Sequence, residues 1–178
     1  MLEGIIRESI GKKGAKALRR DGYLVANIYG KGLENIDAAF KSNDYIRTVK
    51  RKDTVAFPVK LDGKEINVVV QAYQVHPLTG DLVHVDLMVA QPGVVAKYTI
   101  PVTTEGEPIG LKNKGLLNIA KPRLAVQAKV EDLPLAINIQ IADLDLGDSV
   151  LIRDLEAPAN VTFMDSERVS VLSIIKAK

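Results

Sequence analysis

The chain has 178 residues, with 24 Lys and Arg against 22 Asp and Glu, and neither cysteine nor tryptophan. That length admits one large or two small domains, and a 47% hydrophobic content is enough for an ordinary core, which excludes wholesale disorder. The absence of cysteine rules out disulfides, thiolate metal sites and a cysteine nucleophile.

With aromatics at only 4%, the core must come from Val, Ile, Leu and Ala, a β-leaning composition. Charge is uneven: residues 1–90 carry 14 bases and 11 acids, whereas residues 91–178 carry 10 and 11. The electrostatic footprint is therefore N-terminal. No N-terminal apolar run resembles a signal peptide, and no apolar stretch approaches the roughly 18 residues of a membrane span. The expectation is a soluble, cytoplasmic protein with no membrane partner.

Leu2 to Ser9 reads as a short strand, with Leu2, Ile5 and Ile6 apolar and charges between them. A basic stretch follows, Arg7, Lys12, Lys13, Lys16, Arg19 and Arg20, set among glycine and alanine. Lys16 to Arg20 predicts a helical turn closed by Gly22. Tyr23–Tyr29 and Ile36–Phe40 read as strands linked through Gly30-Lys31-Gly32. Ser42 offers an N-cap to an amphipathic helix over Ser42–Lys50, with Tyr45, Ile46 and Val49 on its apolar side.

Val55–Leu61 and Glu65–Tyr73 flank Asp62-Gly63, a strong hairpin signal. After the turn residues His76 to Asp81, Leu82–Val89 alternates as another strand. These elements make a small sheet or barrel with one or two helices. Ala90-Gln91-Pro92-Gly93 marks the expected domain boundary. Beyond it, strands at Tyr98–Thr103, Leu116–Ala120, Leu124–Val130, Ala136–Ile141, Val150–Ile152 and Val169–Ile174 are separated by Gly and Pro, as in an all-β domain.

Two features carry chemistry. Cations on a glycine-rich segment followed by Tyr29 suit a polyanion, with phosphates on the bases and a ribose or base on the ring. The bland reading is a solvated basic helix with Ala15, Ala17 and Leu18 on its buried side. In Leu82–Leu87, strand alternation puts His84 and Asp86 on one face and Val83, Val85 and Leu87 on the core side. A carboxylate does not serve phosphates; it accepts from a ribose 2′-OH or a base amino group, or fixes the His tautomer. The bland reading there is a surface ion pair. Gln71, Gln74 and His76 add neutral hydrogen-bonding groups nearby.

Catalytic readings fail on motif. No G-x-S-x-G turn accompanies His84 and Asp86, and Gly11-Lys12-Lys13-Gly14 lacks the frame of a phosphate loop. His76, His84 and Asp86 lack an established metal-ligand spacing. Neither enzymatic activity, cofactor, metal nor small-molecule substrate is expected.

Gly11-Lys12-Lys13-Gly14-Ala15, Leu18-Arg19-Arg20, Gly22 and Ile28-Tyr29-Gly30 resemble the start of the family of ribosomal large-subunit protein twenty-five. Gln74-Val75-His76-Pro77 and His84-Val85-Asp86 continue the likeness. Gly106 to Gly110, Gly115 to Asn118 and Leu144 to Ser149 resemble the C-terminal domain of its two-domain form, the general stress protein Ctc. Two positions depart from the family: Val25-Ala26-Asn27 stands where a proline is common, and Leu87 where Phe often follows.

The resemblance implies a mainly β protein, with a small β-barrel carrying one or two short helices over residues 1–91 and an all-β domain over residues 92–178. It implies that the first domain binds the minor groove of an irregular internal loop in 5S rRNA within the large ribosomal subunit. The RNA-contacting positions carried over are Arg7, Arg19, Tyr29, His84 and Asp86, with Lys12, Arg20, Gln71 and Gln74 nearby. Other large-subunit proteins are expected partners of the second domain. A tRNA-binding barrel like that of glutaminyl-tRNA synthetase is a rival of the same class. A protein-interaction or stress-response module with an incidental basic arm is a rival of another.

Overall fold

Alternating apolar and polar residues set the N-terminal strands, and the computed structural model, which describes residues 2–8 and 10–176, closes six of them into a barrel. They are β1 (Leu2–Ile6), β2 (Tyr23–Gly30), β3 (Leu33–Lys41), β4 (Ala56–Leu61), β5 (Lys64–Val75) and β6 (Leu82–Val89). The order around the barrel is β1-β3-β2-β6-β5-β4, with β1 closing on β4. The β1–β4 and β2–β6 pairs are parallel and the rest antiparallel. Closure leaves the barrel no unpaired sheet edge.

Leu24, Ala26 and Ile28 of β2, Phe40 of β3, Val59 of β4, Val68 of β5 and Val85 and Leu87 of β6 fill the interior. Helix α2 (Ser42–Arg51) adds Tyr45, Ile46 and Val49 to that same cluster, which a helix does only from an open end of a closed barrel. Ser42 is the first residue of α2, not its cap. β3 runs straight into the helix without a loop residue, and the Ser42 hydroxyl instead donates to Gly22 O at 2.9 Å.

Helix α1 (Lys12–Arg20) is longer than the single turn expected from the sequence. It has a surface to lie on: Val25 and Ala39 point away from the interior yet are buried, and α1 rests against β2. Gly22 ends it at φ +82, a left-handed conformation that glycine adopts without strain. The β4–β5 turn at Asp62-Gly63 has φ of 47 and 78, as the sequence predicts for a two-residue hairpin.

The chain divides into two compact units, Met1–Pro92 and Gly93–Lys178. The second holds β7 (Val95–Glu105), β8 (Gly115–Ile119), β9 (Arg123–Lys129), β10 (Ile137–Gln140), β11 (Ser149–Leu151), β12 (Thr162–Phe163) and β13 (Ser170–Lys176). They form two sheets, β10-β7-β9-β12 and β11-β13-β8, over buried Tyr98, Ile100, Leu124, Val126, Leu172 and Ile174. The two-residue β12 and the one-turn helix α3 (Ile109–Lys112) are too short for any sequence periodicity to announce. Among the described residues, no helix is long and apolar enough to cross a membrane.

Gly4 faces Phe40 across the β1–β3 pair, and a Cβ there would fall 2.8 Å from Leu61 Cδ2 and nearer still to the Phe40 ring. Phe40 is fully buried and has no room to turn aside. Gly4→Ala should therefore cost about 1–3 kcal/mol by overpacking, read from denaturant unfolding. Combined with Phe40→Leu, the loss should be less than additive in a double-mutant cycle.

Candidate nucleic-acid interface

The parallel register of β2 and β6 builds the site. It pairs Val25 with His84, Asn27 with Asp86 and Tyr29 with Met88. Leu24, Ala26, Ile28, Val85 and Leu87 point inward, so these paired residues lie on the outer face. Neighbouring strands extend each row. Asn27 faces Asp37 of β3 on its other side, while β5 sets Gln74 beside His84 and Ala72 beside Asp86. Adjacent strands are about 4.8 Å apart, so each row is a continuous line of side chains.

Asp86 stands at the centre of these rows. Its Oδ1 lies 3.2 Å from His84 Nδ1, with the two side chains 32% and 21% exposed. An acceptor there keeps a proton on Nδ1, which leaves Nε2 as the ring atom for an outside partner. Tyr29 is held above the ordinary tyrosine range, first by burial and then by the negative charge of Asp86. Its hydroxyl stays protonated as a donor. Gln71 occupies a bulge of β5 between Val70 and Ala72, and its Oε1 is buried without a hydrogen-bond partner among the described residues. Ala72, the small residue opposite Asp86, leaves space over the carboxylate.

Cations border the stripe. Arg7 follows β1, its backbone N–H donates to Asp37 O at 2.8 Å, and Nη1 lies 4.0 Å from Asp37 Oδ1. Its side chain is only 6% exposed, so it acts from beneath the surface. Arg19 Nε donates to Val83 O at 3.0 Å, which ties α1 to β6 and aims the guanidinium at the stripe's end. There Arg19, Tyr23, His76 and Val83 help line a cleft of about 500 Å³. Lys12 and Arg20 are exposed on α1, and Arg20 Nε sits 3.7 Å from Asp21. Among the described residues, no hydrogen bond or ion pair ties either of them to the strands.

The sequence placed Val83 in the core, but it is half-buried and Leu82 packs against the interior instead. The cause is the register irregularity between Gln74 and Val75. His76 is turned to a local task, its Nδ1 accepting from the backbone N–H groups of Leu78 and Thr79 at 3.4 and 3.3 Å. Among the described residues, no three His, Asp or Glu side chains are grouped to hold a metal. Sequence reasoning missed Asn27 and Asp37. Asn27 was detectable as the outward residue two before Tyr29, but its place beside Asp86 depends on the register.

The Asp86 contribution to Tyr29 is open to test. Asp86→Asn should lower the Tyr29 titration in an ultraviolet pH scan, though not to the ordinary value, because burial persists. A folded-state value above the unfolded one gives stability that is present below about pH 10 and lost as pH rises through the folded value. The alkaline loss of stability should accordingly shrink in Asp86→Asn.

Two family models match the chain: the Ribosomal L25p family over residues 2–87, and the C-terminal domain of ribosomal protein TL5 over residues 96–178. Large ribosomal subunit protein bL25 of Sulfurimonas denitrificans is 66% identical over the full length of both chains. The bL25 proteins of a Nitratiruptor species and of Campylobacter lari are 58% and 56% identical, again end to end. The chain belongs to the bL25 family of structural proteins of the large ribosomal subunit, which are not enzymes.

Proposed function

We propose that the barrel, residues 1–91, binds 5S rRNA in the cytoplasmic ribosome through Arg7, Lys12, Arg19, Arg20, Tyr29, Gln71, Gln74, His84 and Asp86. One observation carries this reading: a carboxylate sits at the centre of a stripe whose borders are cationic. A surface built only to attract phosphates has no use for Asp86. Beside Asn27, His84 and Tyr29 it makes a mixed donor and acceptor face, suited to 2′-OH groups and base edges. An A-form helix shows those groups in its shallow minor groove, most openly where pairing is irregular. Arg19 and the exposed bases of α1 supply the phosphate contacts that position the RNA without reading it.

Residues 92–178 contact other components of the large subunit in this reading. The apolar pair Leu116 and Ile175, opposite each other on β8 and β13 and both exposed, suits a ribosomal protein.

The test compares wild type and Asp86→Ala on a 5S rRNA fragment containing the internal loop and on a fully paired duplex of equal length. Wild type should prefer the fragment, and Asp86→Ala should lose that preference by about tenfold, the worth of a hydrogen bond to a charged group. Equal binding of both RNAs by both proteins would reduce the stripe to a charge patch. Arg19→Ala should weaken both RNAs alike and flatten the salt dependence by about one unit. A chain ending at residue 92 should keep the fragment affinity; a large loss would remove the division of labour between the domains.

A further inference from the structure

The stripe leaves one strongly basic surface of the barrel unused. Arg47 lies one turn before the end of α2, Lys50 and Arg51 lie in its last turn, and Lys52 follows it. Among the described residues, Arg47, Lys50 and Arg51 form no ion pair, and each is exposed or half-buried. Arg47, Arg51 and Lys52 line an open cleft of about 490 Å³ with Thr48, Phe57 and Pro58, where Asp53 is the one acid among the lining residues. Its floor is rigid. Phe57 is 3% exposed, and Lys52 Nζ stands 5.8 Å above its ring.

We infer that this cleft is a second RNA site, taking the phosphodiester backbone of an RNA segment other than the one on the stripe. Four arguments lead there. Arg47 and Arg51 are one helical turn apart, with Cβ atoms about 5–6 Å from each other, a spacing of the same order as that of neighbouring phosphates on an RNA strand. Their guanidinium groups offer planar forks that match phosphate oxygens. The helix end does not explain all four bases, since complementing its dipole takes only one or two.

The fourth argument is topological and sets the cleft apart from the centre of the stripe. In the order β1-β3-β2-β6-β5-β4, strand β4 is three places from β2 in either direction. The cleft is built on Ala56, Phe57 and Pro58 of β4, whereas the stripe centres on β2 and β6. The strands flanking β4 are β5, which carries Gln71 and Gln74, and β1, which leads to Arg7, so the cleft lies apart from the centre of the stripe and beyond its flanks. On this inference the barrel is bivalent, with one RNA segment centred on β2 and β6 and the other on β4 and α2.

The experiment uses the full chain carrying Arg19→Ala, so that the stripe contributes least, and a labelled, fully paired RNA duplex without any 5S sequence. Adding R47A/R51A should weaken duplex binding about tenfold and lower its salt slope by about one and a half to two units. R47K/R51K should keep most of the slope, which separates lost charge from damage to α2, and thermal melting should show all variants folded. In the otherwise wild-type chain, R47A/R51A should leave affinity for the 5S fragment within about twofold. Unchanged duplex binding in R47A/R51A overturns the proposal, as does an equal loss on the 5S fragment, which would make the α2 cations part of the first site. Displacement of the duplex by polyglutamate at equal charge would assign the cleft to an acidic protein and likewise overturn it. The duplex comparison needs no 5S RNA, so failure of the 5S reading leaves it standing.

Discussion

The parallel pairing of β2 with β6 is the constraint from which the rest follows. These strands come from distant parts of the chain, and their register is fixed because both send every second side chain into one closed interior. A slip of one residue would push Leu24, Ala26 and Ile28 out to water and pull Asn27 and Tyr29 in. The apolar core therefore holds the polar stripe in alignment. Asn27 sits beside Asp86 because Ala26 and Val85 are buried at 0% exposure one residue away.

Charge is used in two different ways on this surface. Arg19 is spent partly inside the protein, fastening α1 to a carbonyl 64 residues away in sequence, and Arg7 lies almost buried against Asp37. These cations are preorganised, with little side-chain freedom left to lose on binding. The exposed lysines of α1 remain loose and contribute mainly long-range attraction that salt screens. Asp86 opposes that attraction locally, yet it fixes the His84 tautomer and adds to the burial that raises the Tyr29 hydroxyl's titration. On the proposed reading, some phosphate affinity is given up for discrimination between groove edges.

Most of the barrel was legible in the sequence. His84 to Leu87 alternates as the sequence predicts and Asp62-Gly63 forms the turn it announces, because both signals are local. His84 and Asp86 were legible as a pair for the same reason. What depends on pairing was not. The register irregularity at Gln74 and Val75 exchanges the roles of Leu82 and Val83, and no local pattern contains it. Asn27 and Asp37 carry no motif and gain meaning only when β2 lies between β3 and β6. The length of α1 was hidden because its stability comes from the sheet beneath it, while Gly14 lowers its intrinsic propensity. The basic end of α2 reads in sequence as an ordinary last turn, and only the strand order shows that its cleft is built on β4, apart from β2 and β6.

Closure also decides what kind of connector such a barrel can be. An open sheet with two binding faces flexes by twisting, and the distance between its ligands then varies. A closed barrel has paired every edge, and α2 fills one end with Tyr45, Ile46 and Val49. That helix is therefore fixed at three points of the same core that sets the β2–β6 register. A change that loosens the core disturbs the stripe and the α2 cleft together, whereas a change to an exposed base disturbs only its own side. Deep packing substitutions and surface charge substitutions should thus fall into two separable classes of behaviour, coupled through the core and independent at the surface. A small rigid body with separable faces can hold two strands of a large assembly at one set distance.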